Sequence, residues 1–154
     1  MSNSDGIKVV TVNRRALHEY EVLQRIEAGL VLTGTEIKSI RLGRVNVRDA
    51  FARPLSGELW LVNLHIAPYA QGNLNNHEST RPRKLLLHKG QMTQLMGAVG
   101  GKGLTLVPLR LYLKRHVAKV ELGLARGRKQ YDKRRVIQER DRAREARQGL
   151  RRRG

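Results

Sequence analysis

Cysteine is absent from the sequence, and histidine is sparse and scattered. Without thiols the chain forms no disulfide bond and no thiolate-bound metal centre, which excludes the zinc ribbons and zinc fingers among nucleic-acid modules. The five histidines, at positions 18, 65, 77, 88 and 116, show neither H-x-H nor H-E-x-x-H spacing. Because metal-binding histidines recur at such spacings, we expect no metal site and no cofactor.

Acidic side chains are also scarce, since 13 Asp and Glu stand against 31 Lys and Arg. The candidate carboxylates of the body have no spacing that pairs two of them on one face, as a magnesium-dependent nuclease would need; they are Glu27, Glu36, Asp49, Glu58 and Glu121. A G-x-S-x-G nucleophile motif is missing. The glycines of 97–103 do not form a phosphate loop, because Gly103 follows Lys102 where Ser or Thr is required. We therefore expect a protein that is not an enzyme, with a simple turn at these glycines.

Long apolar runs are missing as well. No segment approaches the roughly 20 apolar residues of a membrane span, and the N-terminus lacks the basic and apolar regions of a secretion signal. We expect a cytoplasmic protein without a membrane partner. What the sequence has in excess is positive charge: its 154 residues carry a net charge of +18, which makes nucleic acid the first partner to consider.

Half of this charge lies at the C-terminus. The last 29 residues, 126–154, hold 13 Lys or Arg and four Asp or Glu, a net charge of +9. After Tyr131 the only larger aliphatic side chains are Val136, Ile137 and Leu150, too few to offset the entropy of ordering the backbone. We predict that this basic tail is disordered alone and orders on a polyanion. The alternatives are a solvated charged helix and a tail that serves solubility.

The preceding residues predict a flexible start, 1–12, and one folded domain, 13–125. A long strand follows Tyr20, and the next segment matches a helical capping box, with Thr33 as N-cap, Glu36 three residues later and Gly43 at the end. Two further strands, 45–55 and 58–66, are predicted to meet in a hairpin at 54–57, and the second to be central and buried.

Apolar residues at helical spacing from Met92 to Val99 predict another helix. Two alternating strands then meet near Arg115, with a bulge at Pro108, and Tyr112 lies in the outward row of the first. About six strands with two or three short helices and no βαβ alternation predict a mainly β protein, a small antiparallel barrel of the oligonucleotide-binding type.

The chemistry of the residues favours RNA as the partner. Basic side chains neutralise phosphates with little choice of sequence. Tyrosines can stack on unpaired bases, and for Tyr20 and Tyr131 stacking and ordinary surface packing are equal alternatives. For Tyr69 and Tyr112 packing is the stronger interpretation.

Five blocks in this order resemble the small protein B family. They are Asn13-Arg14-Arg15-Ala16 with Tyr20, the segment 27–41 (EAGLVLTGTEIKSIR), Arg81 with 83–87 (RKLLL), Gly103-Leu104-Thr105 to Pro108-Leu109, and Gly127-Arg128-Lys129 with 131–134 (YDKR). The resemblance covers nearly the whole chain. It implies an adaptor that binds the transfer-RNA-like domain of transfer-messenger RNA (tmRNA) and delivers it to stalled bacterial ribosomes in trans-translation, where the tail enters the decoding centre and messenger channel as a helix.

This resemblance also implies which residues bind. In the body, a candidate RNA-binding set follows from it together with the neighbouring basic side chains: Asn13, Arg14, Arg15, Tyr20, Glu36, Lys38, Arg41, Arg81, Arg83 and Lys84. In the tail, the candidate ribosome-binding set is Arg128, Lys129, Tyr131, Asp132, Lys133 and Arg134. We expect a monomer when the protein is free. The alternative function is that of a constitutive ribosomal or ribosome-assembly protein, which composition alone favours.

Glu36 has two interpretations of equal weight. A carboxylate near RNA can accept from a base amino group or orient a neighbouring arginine. Its place in the capping box is a sufficient structural reason by itself.

Overall fold

A computed structural model describes residues 6–69, 76–101 and 103–127 of the chain. The tail beyond residue 127, with all six candidate ribosome-binding residues, lies outside this part. The described ranges hold nine strands and three helices. In chain order these are β1 (Ile7–Val12), α1 (Arg14–Glu19), β2 (Tyr20–Leu30), α2 (Gly34–Arg41), β3 (Val45–Asn46), β4 (Phe51–Leu55), β5 (Glu58–Val62), β6 (His65–Ile66), β7 (Arg83–Leu86), α3 (Lys89–Gly101), β8 (Thr105–Lys114) and β9 (Val117–Gly127).

Six strands form a closed antiparallel ring in the order β8, β4, β5, β7, β2, β9 and back to β8. The length of β8 makes the closure possible. One edge of β8 pairs with β9 along its whole length. The other edge pairs with β4 at Leu106 and with β1 from Arg110 to Lys114. The prediction of a mainly β, closed antiparallel sheet without βαβ units is confirmed. Its assignment to the oligonucleotide-binding type stays a prediction.

The prediction of a flexible start over 1–12 is wrong for residues 7–12. Residues 7–12 form β1, which pairs with β8 from Ile7 opposite Lys114 to Val12 opposite Arg110. The free edge of a strand exposes N–H and C=O groups, and another segment of the chain can pair with them. The residue pattern of 7–12 does not reveal that β8 provides such an edge. At the other boundary, β9 continues to Gly127, two residues beyond the predicted end of the domain.

The hairpin at 54–57 is confirmed, with Ser56 and Gly57 at φ of 52° and 78°, the left-handed pair of a two-residue turn. The segments beside it differ from the prediction. Instead of two long strands, β3 and β6 form a separate small sheet. Strand β5 is central as predicted, but only Leu59 and Leu61 are fully buried, and Trp60 on the other face is partly exposed.

Helix α3 is confirmed and packs Leu95 and Ala98 into the core. The turn predicted at the glycines of 97–103 is confined to the last of them. Gly97, Gly100 and Gly101 lie inside the helix, and the chain turns at Gly103, where φ is 65°. The last two strands are confirmed, including an irregularity between Pro108 and Arg110. None of the described helices is long and apolar enough to cross a membrane.

Candidate nucleic-acid interface

The start of α2 has the predicted capping box. The Glu36 backbone N–H donates to Thr33 Oγ1 at 3.3 Å, and the Thr33 backbone N–H donates to Glu36 Oε1 at 2.8 Å. Two otherwise unpaired N–H groups of the helix end are therefore satisfied. The capping interpretation of Glu36 is confirmed, and the carboxylate is left with further lone pairs on both oxygens.

Two arginines use those lone pairs. Arg83 Nε donates to Glu36 Oε2 at 2.6 Å, and Arg81 donates to Oε1. The rest of the Arg83 guanidinium donates to main-chain oxygens of Leu64, Glu78 (3.3 Å) and Ser79 (3.1 Å). One buried side chain therefore joins α2 to the segment before β6 and to the segment before β7.

The charges of this cluster persist in the fold because they are paired. Burial raises the pKa of Glu36, but hydrogen bonds from Arg81, from the Thr33 backbone and from Arg83 outweigh burial and hold the pKa below its usual range. Burial lowers the pKa of Arg83, and the hydrogen bond to Glu36 opposes that shift. At neutral pH the two groups therefore form an ion pair inside the protein.

Asn13 has a similar structural place at the start of α1. As the N-cap of α1, its Oδ1 accepts from the Ala16 backbone N–H at 3.1 Å, while Nδ2 donates to the oxygens of Val47 (3.1 Å) and Pro108 (2.9 Å). The side chain is 3% exposed. It therefore ties α1 to β8 and to the connection between β3 and β4.

These observations correct three of the ten candidate RNA-binding residues. Glu36 and Arg83 are completely buried and Asn13 nearly so, and the polar atoms of all three are engaged inside the protein. In this conformation they have no surface to offer an RNA. Their spacing in sequence could not reveal this, because a buried polar side chain and a contacting one use the same residue types.

The exposed cations lie on or next to α1 and α2, the helices that Asn13 and Glu36 join to the rest of the protein. Five of them form what we call the basic ridge: Arg14 on α1, Lys38 and Arg41 on α2, Arg44 after α2, and Arg48 between β3 and β4. None of the five forms an ion pair with another described residue. The Lys38 Nζ lies 5.4 Å from the centroid of the Tyr69 ring. Five cations on adjoining elements, with no carboxylate partner in the part of the chain that the structure describes, suit a polyanion.

The other candidate cations are partly engaged. Arg15 donates to Glu19 at 3.1 Å and to Asp49 at 2.9 Å, and Lys84 lies 3.6 Å from Glu58. Arg81 is held by Glu36 and the main-chain oxygen of Val31. They contribute less unpaired charge than the basic ridge does.

The candidate set predicted from the sequence does not include Arg44 and Arg48, and it also misses Phe51. This residue is 37% exposed and lies with Tyr20 in a cleft beside α1 of about 220 Å³. A neighbouring cleft of about 290 Å³ shares Asn13, Arg15 and Arg48 with the first. The signal available for Phe51 was that it is the only phenylalanine in the chain.

Known proteins resemble this chain over almost its full length. The family model "SmpB protein" matches residues 10–152. An SsrA-binding protein of Carboxydothermus hydrogenoformans is 59% identical over 144 residues, which cover 94% of this chain and 97% of that relative. One of Bacillus cytotoxicus is 56% identical over 138 residues, which cover 90% of this chain and 89% of that relative.

A solved structure agrees with these sequence matches. A chain from "tmRNA-SmpB: a journey to the center of the bacterial ribosome" superposes with a TM-score of 0.64 at 55% identity, covering 76% of this chain and 82% of that one. The resemblance carried by the five sequence blocks is thereby confirmed. The chain belongs to the SmpB family.

Proposed function

We propose that this protein is an RNA-binding adaptor of trans-translation, which binds the transfer-RNA-like domain of tmRNA and brings it to stalled bacterial ribosomes. The observation that carries the proposal is the basic ridge of a chain that is 59% identical to an SsrA-binding protein. The solved relative, whose name joins tmRNA, SmpB and the ribosome, supports the same partners.

Within this proposal the two halves of the charge have different tasks. The body holds the RNA through Arg14, Lys38 and Arg41, with Arg15, Arg81, Lys84 and Tyr20 at its margins. The tail acts on the decoding centre and messenger channel of the small subunit through Arg128, Lys129, Tyr131, Asp132, Lys133 and Arg134. The family match extends to residue 152 and so includes this tail. The adaptor works in the cytoplasm, is a monomer when free, and catalyses no reaction.

Binding of a transcript of the tmRNA transfer-RNA-like domain tests the role of the ridge. Replacing Arg41 by Ala removes one phosphate contact and is expected to reduce the slope of log K against log salt by about 1. Arg25→Ala is the matched control, because Arg25 is exposed but paired with Glu121 at 3.0 Å. Equal slopes for Arg41→Ala and the unaltered protein would contradict a phosphate contact at the ridge.

A chain that stops after Gly127 tests the division of labour. The cut leaves β9 whole, so tmRNA binding is expected to persist while tagging of stalled chains in a reconstituted translation reaction is lost. A fall in RNA affinity as large as the fall in tagging would contradict it. Sedimentation separates the alternative function, because an adaptor is substoichiometric on ribosomes whereas a constitutive ribosomal protein is present on every small subunit.

A further inference from the structure

A groove lies along the seam between β4 and β8, beside the C-terminal end of α3. The two strands pair at a single position, Ala52 opposite Leu106, and form no ladder beyond it. Pro54 on β4 has no N–H group with which to extend the pairing. The space between the strands has a volume of about 380 Å³, and Val99 of α3 also lines it. We call it the seam groove.

The lining of the seam groove is apolar except at two positions. Among the described residues that line it, Arg53 is the charged one and Thr105 the polar one. Arg53 is exposed and forms no ion pair with another described residue. An occupant that fits this lining therefore brings an aromatic or aliphatic side chain with a carboxylate next to it.

Strand β9 ends close to this groove. Its last residue is Gly127, and two residues earlier Ala125 pairs with Thr105, which lines the groove. Neighbouring strands lie about 4.8 Å apart, and four extended residues span at most about 14 Å. Tyr131, the fourth residue after Gly127, is therefore within reach of the seam groove.

The start of the tail has the chemistry that the groove fits. Tyr131 is the only aromatic residue after Gly127, and Asp132, the first acidic residue of the tail, follows it directly. The general repulsion between a basic body and a basic tail is screened beyond roughly 8 Å at physiological salt, so the local pairing of Asp132 with Arg53 outweighs it.

We propose that Tyr131 docks in the seam groove of the free protein, with Asp132 against Arg53. The contact modifies the sequence prediction of a tail that is disordered from its start, and leaves that prediction unchanged after residue 132. Under the proposed function it is autoinhibitory, because it must open before Tyr131 can act on the ribosome. The contact itself belongs to the free protein and does not depend on that function.

Methyl NMR of the full-length protein tests the docking. The Tyr131 ring should displace the methyl signals of Val99 and Leu104 from their positions in a chain that stops after Gly127, which leaves β9 whole. Tyr131→Ala in the full-length protein should return these signals to the positions of the shortened chain, whereas Tyr131→Phe, which keeps the ring, should leave them displaced. Identical signals in the full-length and shortened chains would overturn the inference.

Val136→Ala is the matched control, because it removes another apolar side chain of the tail and should leave the displacement unchanged. The methyl signals of Val117, at the opposite end of β9, should agree in all variants. Equal effects of Val136→Ala and Tyr131→Ala would overturn the choice of Tyr131. A displacement that grows with protein concentration would assign the occupant to a second copy of the chain and overturn the proposal.

Two further variants test the charge pair. Asp132→Asn and Arg53→Gln should each reduce the displacement, and the double variant should reduce it no further, because both substitutions break the same contact. Additive reductions would show that Asp132 and Arg53 do not meet. Both variants keep Tyr131 and so leave the apolar part of the docking in place.

Disulfide formation gives a readout that requires no signal assignment, since the chain has no cysteine of its own. In the free full-length protein, Asp132→Cys combined with Arg53→Cys should cross-link at least about threefold faster than Asp132→Cys combined with Glu21→Cys. Glu21 is exposed and pairs with Arg126 beside the end of β9, so a tail without a preferred site would reach it as readily. Equal rates would overturn the inference and leave the proposed function intact.

Discussion

Two ionic clusters of this protein use the same chemical groups in opposite ways. In the Glu36 cluster, formed by Glu36, Arg81 and Arg83, one carboxylate at the start of α2 is completely buried and shared by two arginines. The second cluster, which we call the outer network, lies on the solvent side of β2, β8 and β9. It comprises Arg25, Glu27, Arg110, Tyr112, Lys114 and Glu121.

The outer network neutralises most of its own charge, because two carboxylates pair with three cations. Glu121 lies 3.0 Å from Arg25 and 3.4 Å from Arg110, and Glu27 lies 3.5 Å from Lys114. Tyr112 was predicted in the outward row of β8, and it is, but the Arg110 guanidinium 4.7 Å from its ring centroid helps to cover it, so that it is 2% exposed. The hydrogen bond from Tyr112 lowers the pKa of Glu27, and burial raises the pKa of Tyr112.

The difference shows how a strongly basic protein can present charge on one side. Where carboxylates lie at the surface, they pair with cations and little unneutralised charge is left for a polyanion. Where the carboxylate is inside, as at Glu36, it positions α2 and the segments beside it. The surface cations of the basic ridge then have no ion-pair partner among residues 6–69, 76–101 and 103–127. This difference supports the proposal that RNA binds on the side of α1 and α2, away from the outer network.

The largest effect that would distinguish the two clusters is expected for Arg83→Met. Removing one partner of a buried ion pair costs about 3–5 kcal/mol, because the Glu36 carboxylate and three main-chain oxygens lose a donor. Arg25→Met, which breaks an exposed pair, should cost no more than about 1 kcal/mol. Denaturant unfolding measures both. Similar losses of unfolding free energy in the two variants would show that the buried ion pair contributes no more stability than the exposed one.

A smaller effect with a distinct pH dependence is expected for Glu36→Gln. Losing hydrogen bonds between charged groups costs about 1.5–3 kcal/mol at neutral pH. Because the folded pKa of Glu36 lies below its unfolded value of about 4.3, its contribution is complete above that pH and is lost as the pH falls through the folded pKa.

The variant should therefore lose less stability on acidification than the unaltered protein. Unfolding free energies at neutral pH and at successively lower pH measure this slope. Glu58→Gln, at the exposed pair with Lys84, serves as control. Parallel slopes for Glu36→Gln and the unaltered protein would contradict a buried carboxylate stabilised by its partners.

The smallest effect is expected in the outer network. Tyr112→Phe removes one hydrogen bond to Glu27 and should cost about 1 kcal/mol. Since that hydrogen bond is the main cause of the lowered Glu27 pKa, the pKa should rise toward its ordinary value in the variant. Titration of the Glu27 carboxyl by NMR measures it. An unchanged Glu27 pKa would mean that the charge of Lys114, and not the Tyr112 hydrogen bond, lowers the Glu27 pKa. In that case Lys114→Met should raise the Glu27 pKa.

Patterns between near neighbours were sufficient to predict much of the fold. The capping box spans four residues, the hairpin turn two, and the helix stripe from Met92 to Val99 eight. Such signals act over one or two turns of chain, so they are visible in sequence before any tertiary contact forms. The same reasoning failed for β1, whose partner strand lies about a hundred residues further along.

The sequence by itself determined the excess of cations, its division between body and tail, the local caps and turns, and the family resemblance. Only the tertiary structure decided which polar residues are buried and which are left for RNA. Arg83 meets Glu36 across 47 positions, and Asn13 meets Pro108 across 95. Phe51 and Tyr20 line one cleft only because β4 and α1 both lie against β8. Burial depends on such distant neighbours, and no local pattern of residue types records them.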